Sequence, residues 1–362
     1  MGHISNLSRE RDIKPNIGIS GSLGRGNYGD ELYLKNYQYW FGSWARVFLL
    51  TGLPRPYYMR HFSENLVDMM DAVVVGGGDL ICPYRPKVDQ DFVNKLFLRR
   101  SVHIAGVGVE QNRSDIHPDV LSKWKQFLCN ANIKSISTRD PLSQAWIEKN
   151  VKPAVGVRAH SDLACALPLP KVGRIPKEPI VGLVTRHIKH PKEYLLMAEI
   201  AKRLAAKGWK VHHIIAGVGK HGEKDFENAK ALKVPGKKTK YTQSLDEISR
   251  SIGQCSLVLS MKLHATIVAM MYDVPTISLN PVVKARAFME SVGRESLVFK
   301  CDDRQVLECV EAGVPRVPTA LMQQKTAEAS SYMRQLCQNI WSDFLVANPE
   351  LNGHVKCELS LP

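Results

Sequence analysis

Short apolar runs alternate with longer amphipathic stretches along most of the chain. Ile17–Ser20, Ala72–Val75, His103–Val109 and Ile133–Ser137 are apolar or β-branched and read as buried strands. Glu31–Trp40, Pro118–Cys129 and Leu142–Lys149 carry helical periodicity between and after them. Pro168–Pro179 then breaks every period with four prolines and reads as a linker. A second series follows, with strands at Ile180–Thr185, Trp209–Ile215, Leu257–Leu259 and Val274–Leu279. Its helices are expected at Lys192–Lys207, stopped by Gly208, and at Leu245–Ile252, Ala265–Met271 and Pro281–Val292. Ala216–Lys240 is Gly- and Lys-rich and reads as a loop with one helix, and Thr319–Phe344 as a long helix that packs back across the domains. The pattern predicts an α/β protein with two Rossmann-like domains facing a central cleft, residues 1–170 and 171–362.

Ligands in such sheets bind beyond the carboxyl ends of strands, so the turns there matter most. In Cys255–Met289 the turn Ser260–His264 joins strand to helix, with Ser260 as expected N-cap. Lys262 and His264 then fall in the helix's first turn, where the macrodipole disfavours cations. A bound anion resolves that conflict, since free N–H groups, the dipole and two side chains converge on it. The competing reading is a solvated lysine beside a core histidine. In the first series, Gly21–Asp30 is a Gly-rich loop that matches neither a Walker A loop nor a GxGxxG fingerprint. Asp30 is its expected helix cap. Ala72–Val75 runs into Gly76-Gly77-Gly78-Asp79-Leu80, and Ile133–Ser137 into Thr138-Arg139-Asp140-Pro141, with Asp140 as N-cap and Pro141 opening the helix.

In combination and order these turns resemble the polysaccharide pyruvyl transferase family. Ser-Met-Lys-Leu-His-Ala at 260–265, an apolar helix, a Val-Pro strand and then Lys284 resemble its C-terminal signature, with Lys262 where the family usually has Arg. Gly-Asn-Tyr-Gly-Asp-Glu at 26–31 is similar to its Gly-Asn-x-Gly-Asp-Glu motif, and GGGDL at 76–80 to its second Gly-rich motif. Arg139-Asp140 and the Asp of His160-Ser161-Asp162 also match. The resemblance implies a GT-B-like architecture and transfer of the pyruvyl (carboxyvinyl) group of phosphoenolpyruvate to a sugar, commonly as a cyclic ketal. It places Arg186, Lys262, Leu263, His264 and Lys284 on the donor, and Asn27, Gly77, Gly78, Asp79, Arg139 and Asp162 along the acceptor side of the cleft. His264 is the expected phosphate ligand or proton donor, its pKa raised by the donor dianion. Asp30 is the expected base for the sugar hydroxyl.

Composition narrows the partners. The formal net charge of +14 favours anionic ones: phosphorylated substrates and, weakly and salt-dependently, anionic membrane. No zinc spacing, RNP-like run or basic aromatic helix appears, so neither nucleic acid nor a required metal or cofactor is expected. The eight cysteines are scattered without a CxxC, as reduced thiols of a cytoplasmic protein. Met1–Asn16 lacks an apolar signal region, and no run is long enough to span a bilayer. The expected setting is cytoplasmic, at the inner face of the membrane, with a bacterial surface polysaccharide or its lipid-linked precursor as acceptor. A nucleotide-sugar glycosyltransferase of the same architecture is the main alternative. It needs a carboxylate for the ribose hydroxyls, and none directly follows Val274–Leu279. A non-catalytic sugar- or lipid-binding protein is a third, against which the crowded cations argue.

Overall fold

A computed structural model describes residues 14–51, 60–89, 92–173, 176–187, 194–279, 282–353 and 361. The first series contains β1 (Asn16–Ser20), α1 (Tyr28–Phe41), β2 (Arg46–Leu49), α2 (Arg60–Asp68), β3 (Ala72–Ile81), β4 (Ser101–Val109), α3 (Pro118–Leu128), β5 (Ile133–Thr138), α4 (Pro141–Asn150) and β6 (Val157–Ala159). The second contains β7 (Ile180–Val184), α5 (Leu195–Ala206), β8 (Lys210–Ile214), α6 (Gly219–Ala229), β9 (Lys238–Lys240), α7 (Leu245–Gly253), β10 (Leu257–Ser260), α8 (Leu263–Met271), β11 (Thr276–Ser278), α9 (Val283–Ser291), α10 (Gln305–Ala312) and α11 (Thr319–Ala347).

Among the described residues the strands form two sheets, ordered β2-β1-β3-β4-β5-β6 and β11-β10-β7-β8-β9, and every ladder is parallel. Parallel strands need crossover connections, and the helices between them supply these. Strand order reverses between β1 and β3 in the first sheet and between β7 and β10 in the second. These reversals are the topological switch points, where loops diverge and leave a crevice at the strand ends.

One helix ties the halves together. One face of α1 (Tyr33, Tyr37, Trp40 and Phe41) packs with β1, β3, α8 and α11, whereas Tyr28 and Leu32 join a second core with β7, β10 and α8. Tyr28 fixes that contact by bonding Ser249 of α7, Oη to Oγ, at 2.7 Å. As expected, α11 packs back onto the first half: Met333, Leu336, Cys337 and Ile340 lie against α1 and the turn Leu163–Ala166. Tyr332 stacks on His160, ring centroids 3.9 Å apart.

Local expectations fared unevenly. Asp140 does cap α4, accepting from the Ser143 amide at 2.7 Å. Ser260 does not cap α8; its Oγ is occupied by the amide and carbonyl of Lys262, and Lys262 itself is the N-cap. Nor does Asp30 cap α1, because Asn27 takes that position and the helix starts three residues before the expected Glu31. β3 runs through its three glycines to Ile81 rather than ending before them. The segment read as a loop with one helix ends in β9, an exposed edge strand, Lys-Thr-Lys. Edge strands commonly carry lysine to block further pairing, and that composition hid it. The start of the helix expected at Pro281 and of that expected at Lys192 lie outside the described residues.

Candidate active site in the central cleft

The two switch points face each other. The loop after β1 meets the loop after β8: Asn27 bridges Gly217, and the Val218 amide donates to the Gly26 carbonyl at 2.8 Å. Gly29, in the first turn of α1, lies against the His264 ring in the first turn of α8, where any Cβ would collide with Nδ1. Two helix N-termini, one from each half, therefore converge on one crevice, and each presents free backbone N–H groups.

The first half contributes carboxylates and their neutralising cations. Asp79, near the end of β3, is clamped between Arg139 Nη2 and Lys284 Nζ, the latter at 2.9 Å and reaching over from α9. Burial pushes the Asp79 carboxyl up, but Arg139 and Lys284 outweigh it and hold it at about 2. Gly108 makes room for this pair, since a side chain there would strike both Asp79 and Arg139. Asp162 accepts the Ala164 amide at 2.9 Å and the Tyr33 hydroxyl at 2.8 Å, and lies 4.0 Å from Arg139 Nη1. Gly77, with φ +82°, is needed twice over: the left-handed backbone disfavours a side chain, and a Cβ would press on the Tyr33 ring at 2.7 Å. Gly78 opens instead toward Asp30. Burial pushes the Asp30 carboxyl up, against the Asn27 bond at 2.9 Å and the Lys284 charge.

In the second half Lys262 and His264 both have partners inside the protein. Lys262 Nζ binds the Asp225 carboxylate of α6 and the Ala216 carbonyl, the latter at 2.6 Å. Asp225 is buried, so the lysine's charge is balanced inside the protein. Burial lowers the Lys262 pKa, and Asp225 opposes that. His264 is buried too, with Nε2 2.8 Å from the Tyr33 hydroxyl and 3.7 Å from Asp162 Oδ2. Burial pushes its imidazole down to about 4, and the Asp162 charge offsets this only in part. Burial thus favours the neutral imidazole, and the raised pKa expected of His264 belongs to the complex with a dianion. Arg186, two residues beyond β7, is exposed, and its guanidinium has no hydrogen-bond or ion-pair partner among the described residues.

A cavity of about 160 Å³ lies beside this network, lined by Arg139, Asp162, Leu263, Lys284, Phe288 and Glu328 among others. Part of its wall therefore comes from α9 and α11. Asn27, Asp30, Asp79, Arg139, Asp162, His264 and Lys284 are brought into one cluster by these contacts; Lys262 feels the Asp30 charge from its pairing with Asp225, and Arg186 has no contact with the cluster among the described residues. Tyr33 and Asp225 were missed by sequence reasoning. Tyr33 reads as one of a row of core aromatics in α1, and Asp225 falls in the segment read as a loop. Among the described residues no three or more His, Cys, Asp or Glu side chains meet in a way that could hold a metal ion, and no helix is long and apolar enough to cross a membrane.

Comparison with solved structures gives the fold. The UDP-GlcNAc 2-epimerase of Methanocaldococcus jannaschii superposes with a TM-score of 0.57 at 9% identity, covering 90% of this chain and 99% of its own. The UDP-N-acetylglucosamine 2-epimerase of Rickettsia bellii gives 0.51 at 12% identity over 95% and 99%. The S. aureus MnaA–UDP co-structure gives 0.52 at 13% identity over 88% and 92%. The two halves thus have the GT-B-like arrangement of Rossmann-like domains. No curated protein matches the chain. A family model described as polysaccharide pyruvyl transferase matches residues 27–281, from the cap of α1 to the strand after α8. The chain belongs to the polysaccharide pyruvyl transferase family.

Proposed function

We propose that this chain transfers the pyruvyl group of phosphoenolpyruvate to a sugar of a bacterial surface polysaccharide or its lipid-linked precursor, closing a pyruvate ketal. The observation that carries this reading is the crevice at the β7/β10 switch point. There Arg186 is exposed and the first turn of α8 offers backbone N–H groups at Leu263 and His264. A donor with one carboxylate and one phosphate needs two cationic or N–H-rich contacts, and a guanidinium with a helix N-terminus provides both kinds.

The chemistry asks for proton traffic on both sides of the donor. The terminal CH₂ of the enol takes a proton and becomes the methyl group. A sugar hydroxyl adds to the adjacent carbon, the C–O bond to phosphate breaks, and a second hydroxyl closes the ring. Two hydroxyl protons are released, one proton is consumed at carbon and the other leaves with phosphate or solvent. Asp30, with its carboxyl pushed up by burial, suits a base that takes the proton of a sugar hydroxyl. His264 starts neutral, and an arriving dianion favours its protonated form by the opposite-charge effect. The basic surface is proposed to bring the protein to the anionic inner face of the membrane.

A thermal-shift and phosphate-release assay tests the reading. Phosphoenolpyruvate is expected to raise the melting temperature, and a sugar acceptor to trigger phosphate release. Stabilisation by a UDP- or GDP-sugar, with none by phosphoenolpyruvate, favours a nucleotide-sugar transferase instead.

A further inference from the structure

The buried chain from His264 through Tyr33 to Asp162 determines which nitrogen of the histidine is free to work. The Tyr33 hydroxyl carries one proton. It donates that proton to Asp162 Oδ2 at 2.8 Å, and the other oxygen of that carboxylate is already occupied by the Ala164 amide. Burial and the Asp162 charge hold the phenol pKa well above its ordinary value, so the proton stays. His264 Nε2 lies 2.8 Å from the same hydroxyl. A hydroxyl that has spent its proton can only accept, so Nε2 must be the donor. The neutral ring therefore carries its hydrogen on Nε2 and leaves Nδ1 as the bare nitrogen. Nδ1 is the atom that lies over Gly29, at the start of α1 and on the seam between the two halves. The rings of Tyr33 and His264 meet edge to face, centroids 5.0 Å apart, which fixes the imidazole plane as well.

We infer that Tyr33 and Asp162 are positioning residues that lock His264 in the Nε2–H tautomer, so that proton exchange in the cleft runs through Nδ1 alone. The inference rests on the proposed role of His264 in proton transfer or phosphate contact, but its geometry does not. The charged and titratable groups acting on the ring come from every element around it: Tyr33 of α1, Asp79 of β3, Arg139 after β5, Asp162 after β6 and Lys284 of α9. When Nδ1 gains a proton, the Asp162 carboxylate lies 3.7 Å from Nε2, and the hydroxyl between them transmits its pull. This arrangement is a carboxylate orienting a histidine through an intervening phenol, and it uses residues that the family resemblance placed on the acceptor side or not at all.

Histidine-labelled full-length protein, observed by ¹⁵N NMR across a pH titration, tests this without any substrate. His264→Gln assigns the signals by their disappearance. In the wild type, Nε2 is expected to show the shift of a protonated nitrogen and Nδ1 that of a bare one down to about pH 4, the value to which burial depresses the ring. In Tyr33→Phe the acceptor is lost, and in Asp162→Asn the hydroxyl no longer faces a carboxylate that fixes its proton, so in both variants His264 is expected to show a mixture of tautomers. With phosphoenolpyruvate as substrate, Tyr33→Phe is expected to lower kcat about 100-fold with little change in KM. A wild-type His264 protonated on Nδ1, or a variant that keeps the pure Nε2–H form, overturns the inference. Should either variant fail to fold, the wild-type tautomer alone decides it. Should the spectra agree while phosphoenolpyruvate neither binds nor reacts, the positioning stands and the pyruvyl reading falls.

Discussion

The two switch-point crevices are built alike and charged differently. In the first, Asp79 and Arg139 are buried against each other, and Lys284 and Asp162 complete the set. In the second, Lys262 is spent on Asp225, while Arg186 stands exposed at the end of β7. The difference separates charge that holds the cleft together from charge left over for a ligand. A cation named by its place in a motif can serve either purpose, and only its partner tells which. By this comparison Lys262 is a strut and Arg186 is the exposed cation proposed to meet the donor.

The largest effect is expected at the first crevice. Arg139→Ala leaves Asp79 and Asp162 buried beside a lost guanidinium, and breaking such a pair costs about 3–5 kcal/mol. Denaturant unfolding measures it; a loss under about 1 kcal/mol means the first crevice is no more internally committed than the second. Next comes Lys262. Lys262→Ala strands Asp225 and is expected to cost about 3 kcal/mol, where the sequence pattern predicts relief at the helix N-terminus. A double-mutant cycle with Asp225→Asn is expected to return a coupling of about 1–3 kcal/mol, and an additive result removes the strut.

The acid limb of stability gives a smaller effect. Asp79 is held at about 2 in the folded chain, against an ordinary carboxyl near 3.8. A depressed folded value contributes stability that is present above the unfolded value and is lost as pH falls through the folded one. For Asp79 that amounts to about 2 kcal/mol, present above about pH 4 and gone below about pH 2. Asp79→Asn is expected to flatten the stability profile over that interval, and an unchanged profile places the acid-labile pair elsewhere.

Much of the architecture was legible because a buried parallel strand leaves a short apolar run and a crossover helix leaves an amphipathic one. β1, β4, β5, β7, β8 and β10 were readable on those grounds. β9 was not, since a lysine-bearing edge strand buries nothing. The glycines of β3 hid its second half because their purpose is tertiary: Gly77 clears the ring of Tyr33, a residue 44 positions earlier by the numbering. The site was legible as a set of turns and not as a set of partners. His264 was visible in the sequence; that it bonds Tyr33 follows from α1 crossing between the halves. The alternative of a core histidine was half right. The ring is buried and bonded, so His264→Ala is expected to cost about 1–3 kcal/mol of stability, while its Nδ1 edge still meets the seam of the cleft.

Arg186 is expected to have the least effect on the protein without ligand, since an exposed side chain with no partner among the described residues changes stability by under about 0.5 kcal/mol. It is also where the comparison is most open to refutation. Melting temperatures of the wild type and Arg186→Ala, each with and without phosphoenolpyruvate, test the central claim directly. Equal melting temperatures are expected without ligand, with a rise on adding phosphoenolpyruvate in the wild type and loss of that rise in Arg186→Ala. An equal rise in both proteins, or a rise with a UDP-sugar alone, contradicts it.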